Sequence, residues 1–182
     1  MQNLQNLDWS MKIVSTKGGR FIRAGEKRRR IQAMEHTDYM RLALRLAALA
    51  GAAGEIPVGC VVTNRDGAVI GTGHNRRESD RSAVAHAEIL AIEAACRALG
   101  NWRLDDCSLY VTLEPCPMCA GAILNARISR VFYGTRDRQT GACGGVLNLF
   151  MEPFDHTPQL TGGVLEADCT AALQAFFKTL RR

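Results

Sequence analysis

The stretch "SLYVTLEPCPMCAGAILNA", residues 108–126, passes from a strand pattern into a helix pattern across one Pro-Cys-Pro step. Its first part, 108–114, is apolar with little alternation, the pattern of a central strand covered on both faces. Its second part, 115–126, reads as a short helix with proline in the first turn, where the missing N–H costs no hydrogen bond. A covered strand that feeds a helix needs packing layers on both sides of a sheet.

The flanking sequence fits that frame. Upstream, "AHAEILAIEAAC" (85–96) opens a helix predicted to run to Leu99 and to stop near Gly100. Before it come the polar loop 76–84 and two β-rich runs, "PVGCVVTN" (57–64) and "AVIGTGHN" (68–75). Arg65-Asp66-Gly67 joins those runs, and the Asp-Gly step supplies the positive φ of a tight hairpin turn. Residues 37–50 read as an amphipathic helix, with Thr37 as N-cap and Tyr39, Leu42, Leu46 and Leu49 on one face. Downstream lie a strand at 130–134, a Gly-rich loop at 134–145 and a helix at 166–180 with Leu173, Phe176, Phe177 and Leu180 as its apolar positions. The order is helix, hairpin, then alternating helix and strand. It predicts a three-layer α/β domain, a mixed central sheet with helices on both faces.

Bulk properties narrow the class. The 182 residues are 47% hydrophobic and 23% charged, an ordinary globular composition. No apolar run approaches the roughly 18 residues of a membrane span; the longest, 42–53, is interrupted by Arg45. Seven cysteines make an odd number without a staple-like framework, and the N-terminal apolar residues never gather into a signal-peptide core. A reducing, cytoplasmic setting is therefore expected, with Cys60, Cys96, Cys107, Cys143 and Cys169 as small buried hydrophobes. The net charge of +5 is unevenly placed: residues 1–34 carry a net +6 and 35–182 a net −1. A basic arm of this kind suits a polyanion. The blander reading, which we favour, is that translation starts at Met34 or Met11 and that 1–34 is disordered or never made. The division expected is thus a basic extension, 1–34, and one domain, 35–182.

The chemistry sits where helices begin. Cys116 and Cys119 lie three apart in a first turn, so both sulfurs share a face, and the positive helix end favours thiolates. His86 stands at the start of the preceding helix and adds an imidazole if the two helix starts converge. Two sulfurs and one nitrogen form a soft donor set suited to Zn²⁺. Three protein ligands leave the fourth tetrahedral position to water, the pattern of a catalytic site. Glu88, two residues after the histidine, reaches that water without being a ligand and can act as general base, then general acid. Three competing readings are weaker. A redox Cys-x-x-Cys pair would have no use for the distant His-x-Glu. A closed structural zinc site would want a fourth donor such as Cys60, His74 or Cys143. A satisfied core histidine would not keep this company.

The pair "HAE" and "PCPMC" resembles the signature of the zinc-dependent cytidine/deoxycytidylate deaminase superfamily. With "IPVGCVV", "GTGHN", "NWRLDDCSLYVTLEPCPMCAGAI", "ARISRVFYGTRD" and "TGACGG", the chain from about Glu35 onward is similar to the bacterial tRNA-specific adenosine deaminases, the TadA family. The resemblance implies a cytidine-deaminase-like fold, a homodimer, one zinc ion per subunit, and conversion of adenosine to inosine at the first anticodon position of an arginine tRNA. It implies His86, Cys116 and Cys119 as metal ligands and Glu88 as the catalytic proton shuttle. Asn75, Asp137, Val58 and Leu113 match substrate-binding positions, Asn75 that of an asparagine bonding the flipped base. Arg136, Arg138, Phe176 and Phe177, with Arg181 and Arg182, are candidate contacts to the RNA of the anticodon stem-loop. Cys143 and Gly145 stand where members of the family tend to have alanine and serine, and Gln139 where lysine is common. Two alternatives are a deaminase of a free base or nucleoside (guanine, cytosine or cytidine) and a non-catalytic zinc protein that binds RNA.

Overall fold

The computed structural model describes residues 34–180. The expectation for residues 1–34 falls, but for Met34, outside the described residues, as do Arg181 and Arg182. The elements in order are α1 (His36–Ala52), β1 (Gly59–Thr63), β2 (Val69–His74), α2 (Ala87–Leu99), β3 (Ser108–Leu113), α3 (Pro117–Asn125), β4 (Arg130–Thr135), a 3-10 turn (Leu149–Met151), β5 (Gln159–Thr161) and α4 (Glu166–Leu180). The sheet order is β2-β1-β3-β4-β5. β1 pairs antiparallel with β2 and β3, whereas β3, β4 and β5 run parallel. This is the mixed three-layer α/β architecture expected of the sequence.

Two apolar clusters cover the two sheet faces, and the strands divide their side chains between them with period two. Cys60, Val62, Leu109, Val111, Val131 and Tyr133 pack with Ala87, Ala91 and Ala95 of α2 and Ala120 and Ile123 of α3. The intervening Val61, Tyr110 and Phe132 pack with Tyr39, Met40 and Ala43 of α1 and Cys169 of α4. β1 and β3 are buried almost throughout, which explains why 108–114 shows no clear alternation. The hairpin forms as predicted. Asn64 Oδ1 accepts from the backbone N–H of Asp66 (3.0 Å) and Ala68 (2.9 Å), and Gly67 takes a φ of 80°.

Three details differ from expectation. The N-cap of α1 is Glu35, not Thr37. Asp38 Oδ2 accepts from the Glu35 N–H at 3.0 Å and draws the helix start upstream. The face of α1 that is buried consists of Tyr39, Met40, Ala43, Ala47 and Ala50 rather than the leucines, and Leu49 is 54% exposed. The helix lies so close to β1 that a Cβ at Gly59 would run into the Ala43 carbonyl oxygen, so small residues, Ala43 and Ala47, stand where the helix crosses Gly59. Last, β5 is an unforeseen strand of three residues, "QLT", set by its register on β4. Of α4 only Cys169 is buried, so neither phenylalanine enters the core: Phe176 is half-buried and Phe177 is 43% exposed. Their rings meet edge-to-face at 5.6 Å. Among the non-ligand cysteines Cys60, Cys107, Cys143 and Cys169 are buried and Cys96 is half-buried.

Candidate metal centre and active site

The centre is built where two helices start. β3 ends at Leu113, and Glu114 and Pro115 lead to Cys116, the N-cap of α3, in extended conformation (φ −74°, ψ 172°). Pro117 then occupies the start of the helix, where its fixed φ is already right. His86 has the same role for α2 (φ −78°, ψ 153°), with its carbonyl accepting the Leu90 N–H at 3.1 Å. His86 and Cys116 thus immediately precede their helices, and Cys119 and Glu88 lie in the first turns. His86 Nδ1 lies 3.7 Å from Cys116 Sγ and 3.5 Å from Cys119 Sγ. One ligand atom from each of the three residues falls within 4.8 Å of the others. Among the described residues no fourth His, Cys, Asp or Glu joins this group, so Cys60, His74 and Cys143 do not close it.

Electrostatics favour one thiolate in the group. A hydrogen bond with the Cys119 thiol, aided by His86 against the effect of burial, holds the Cys116 thiol down to about 4. The same bond and burial drive the Cys119 thiol up. The bond to Cys116 raises His86. Burial pushes Glu88 up to about 7. The carboxyl is 3% exposed, and its Oε2 is the buried side-chain oxygen left without a hydrogen-bond partner among the described residues. Buried polar atoms are rarely orphaned. A soft S₂N donor set beside a carboxyl with a free oxygen fits zinc together with a polar reactant.

Asn75 directly follows β2 and is buried; its N–H donates to the Val58 carbonyl at 3.0 Å, and its Nδ2 points to Glu55 Oε2 at 3.5 Å. Val58 is buried and Leu113 half-buried. The Asp137 carboxylate accepts from the backbone of Gln139 (2.8 Å) and Thr140 (3.2 Å) and from Thr140 Oγ1 (2.6 Å). Arg136 and Arg138 are exposed on either side of it. Phe176 and Phe177 belong to α4, which packs on the α1 side of the sheet, the layer opposite α2 and α3. Sequence reasoning missed two buried carboxylates, Glu55 at 1% and Glu114 at 2% exposure. Each is held by backbone amides of a loop more than twenty positions further along the chain, and no local pattern signals such a partner.

Comparison with known proteins agrees with this geometry. The family model described as "cytidine and deoxycytidylate deaminase zinc-binding region" matches residues 33–135. The tRNA-specific adenosine deaminase of Bacillus subtilis is 46% identical over 145 residues, 79% of this chain and 89% of that protein. A solved structure from studies of A-to-I editing by tRNA:A34 deaminases at the wobble position superimposes with a TM-score of 0.73 at 43% identity, over 75% of this chain and 99% of that one. A guanine deaminase from Bacillus subtilis is also similar, with a TM-score of 0.55 at 36% identity over 80% of this chain and 95% of that one.

Proposed function

The chain belongs to the cytidine and deoxycytidylate deaminase family, and we propose that it converts adenosine to inosine at the first anticodon position of a tRNA, an arginine tRNA by resemblance. Residues 35–182 form the deaminase domain in this reading, acting as a cytoplasmic homodimer with one zinc ion per subunit. The observation that carries the chemistry is the convergence of His86, Cys116 and Cys119 beside a buried Glu88 with one unpartnered oxygen. The names and identities of the relatives support the tRNA substrate.

His86, Cys116 and Cys119 would hold the zinc. When bound it supplies Lewis-acid chemistry, which brings water's acidity from about 15.7 to roughly 7. Glu88 does the proton work. Its carboxyl is buried beside the ligand set with one oxygen free, placed both to take a proton and to give it up. It accepts a proton from the attacking water and delivers it to N1 of adenine as oxygen bonds to C6. It passes the second proton to the exocyclic amino group, and the C6–N6 bond breaks to release ammonia. Adenosine and water thus become inosine and ammonia. Asn75 hydrogen-bonds the flipped base, Val58 and Leu113 wall it, and Asp137 lies toward its sugar. Arg136 and Arg138 meet phosphates, and Phe176 and Phe177 contact the stem-loop. An anticodon loop suits the site because its bases are already unpaired, so extracting one costs less than opening a duplex.

The test is incubation with total tRNA followed by sequencing for A-to-G changes at first anticodon positions. Conversion of one tRNA is expected. A rate on free guanine, cytosine or cytidine as high as that on tRNA would favour instead a deaminase of free bases or nucleosides, the reading to which the similar guanine deaminase lends weight.

A further inference from the structure

Glu114 is buried yet takes part in no ion pair among the described residues. Its carboxylate is satisfied by backbone alone. Oε2 accepts the Asp137 N–H at 3.0 Å, and Oε1 accepts those of Cys143 and Gly145, both at 2.8 Å. Its own N–H donates to the Thr135 carbonyl at 2.9 Å, and the next residue's carbonyl, that of Pro115, accepts from Ala142 at 2.8 Å. The loop closes tightly around the charge. A Cβ at Gly141 or at Gly145 would lie 2.6 Å from Oε2. A buried carboxylate without a cation needs such donors, and bonds to an ionised acceptor are about twice as strong as neutral ones. Two residues after Glu114 comes Cys116. The ligand turn and both ends of the 136–145 loop are therefore stitched into one piece by a single side chain.

We propose that Glu114 is a positioning residue: its negative charge fixes the loop bearing Arg136, Asp137 and Arg138 relative to the metal centre and so sets affinity for the RNA substrate. This rests on the tRNA reading above. The carboxylate accepts at both oxygens, whereas the isosteric Gln would turn an NH₂ against one of the loop's N–H groups. The loop should loosen while the ligand set stays intact.

The experiment compares wild type, Glu114→Gln and Glu114→Asp by zinc content, site-resolved amide exchange, and steady-state kinetics on an anticodon stem-loop. In Glu114→Gln, zinc stays at the wild-type level and exchange at Asp137, Cys143 and Gly145 speeds up at least about tenfold, the scale of a lost charged hydrogen bond. KM rises by about the same factor with kcat little changed, and Glu114→Asp, which keeps the charge, recovers part of both. Unchanged exchange, a fall in kcat at constant KM, loss of zinc, or a Gln variant that does not fold would each overturn the proposal. Amide exchange needs no substrate. A wild type inactive on tRNA would therefore sink the functional reading visibly and separately from the locking of the loop.

Discussion

Glu88 and Glu55 are both buried carboxylates, and their surroundings act on them in opposite directions. Burial dominates at Glu88, which keeps an unpartnered oxygen and is raised to about 7. At Glu55 burial is outweighed. The Ser79 amide and hydroxyl, at 2.8 and 2.9 Å, and the backbone of Glu78 and Arg77 hold it below its ordinary value. For the first, Glu88→Gln should retain zinc and bind tRNA while inosine formation falls by about 10²–10⁴-fold; activity near wild type would remove Glu88 from the chemistry. For the second, linkage gives a sign. The unfolded chain protonates Glu55 first, near 4.5, so its contribution to stability is present above that pH and is lost as pH falls through the lower folded value. Acid unfolding of Glu55→Gln should accordingly be less steep below pH 4.5 than that of wild type. Glu88 was legible in the sequence because it stands two residues from His86 in a helix's first turn. Glu55 was not, since the amides that claim it come from residues more than twenty positions away.

Among the elements, the contact of α2 with β2 gives a close test of packing. A Cβ at Gly73 would run into the Ala87 carbonyl oxygen and lie 2.7 Å from the Ala91 nitrogen, and the helix offers Ala87, Ala91 and Ala95 to that strand. Gly73→Ala should destabilise the domain by about 1–3 kcal/mol, read as a lower denaturant midpoint at unchanged slope. No loss of stability would mean that the helix can ride further from the sheet than it does. The order of helices and strands was readable because each long element carries its own period. The contact line of α1 was not. The leucines have the greater hydrophobicity, but the close backbone approach at Gly59 sets small residues, Ala43 and Ala47, where the helix crosses the strand. β5 has no period of its own in three residues and exists because β4 offers it an edge.

As a whole molecule, the described residues include no helix long and apolar enough to cross a membrane, and Arg136 and Arg138 stand exposed on the loop after β4. If tRNA binds through Arg136 and Arg138, affinity should fall steeply with salt, and Arg138→Ala should reduce the salt slope by about 1 while weakening all tRNAs alike. A slope unchanged by the substitution would place the phosphate contacts elsewhere. Stripping the metal with a chelator should abolish deamination, and added zinc should restore it. By itself the sequence determined the alternation of elements, the soft donor set and the carboxylate beside it, because hydrophobic period and spacing within a helical turn are local properties. Only the tertiary structure decided that His86 meets two sulfurs 30 and 33 positions away, which face each helix covers, and that Glu55 and Glu114 are buried anchors. Those outcomes depend on which backbone amides and how much space the folded chain brings beside a residue, and distance along the chain does not encode either.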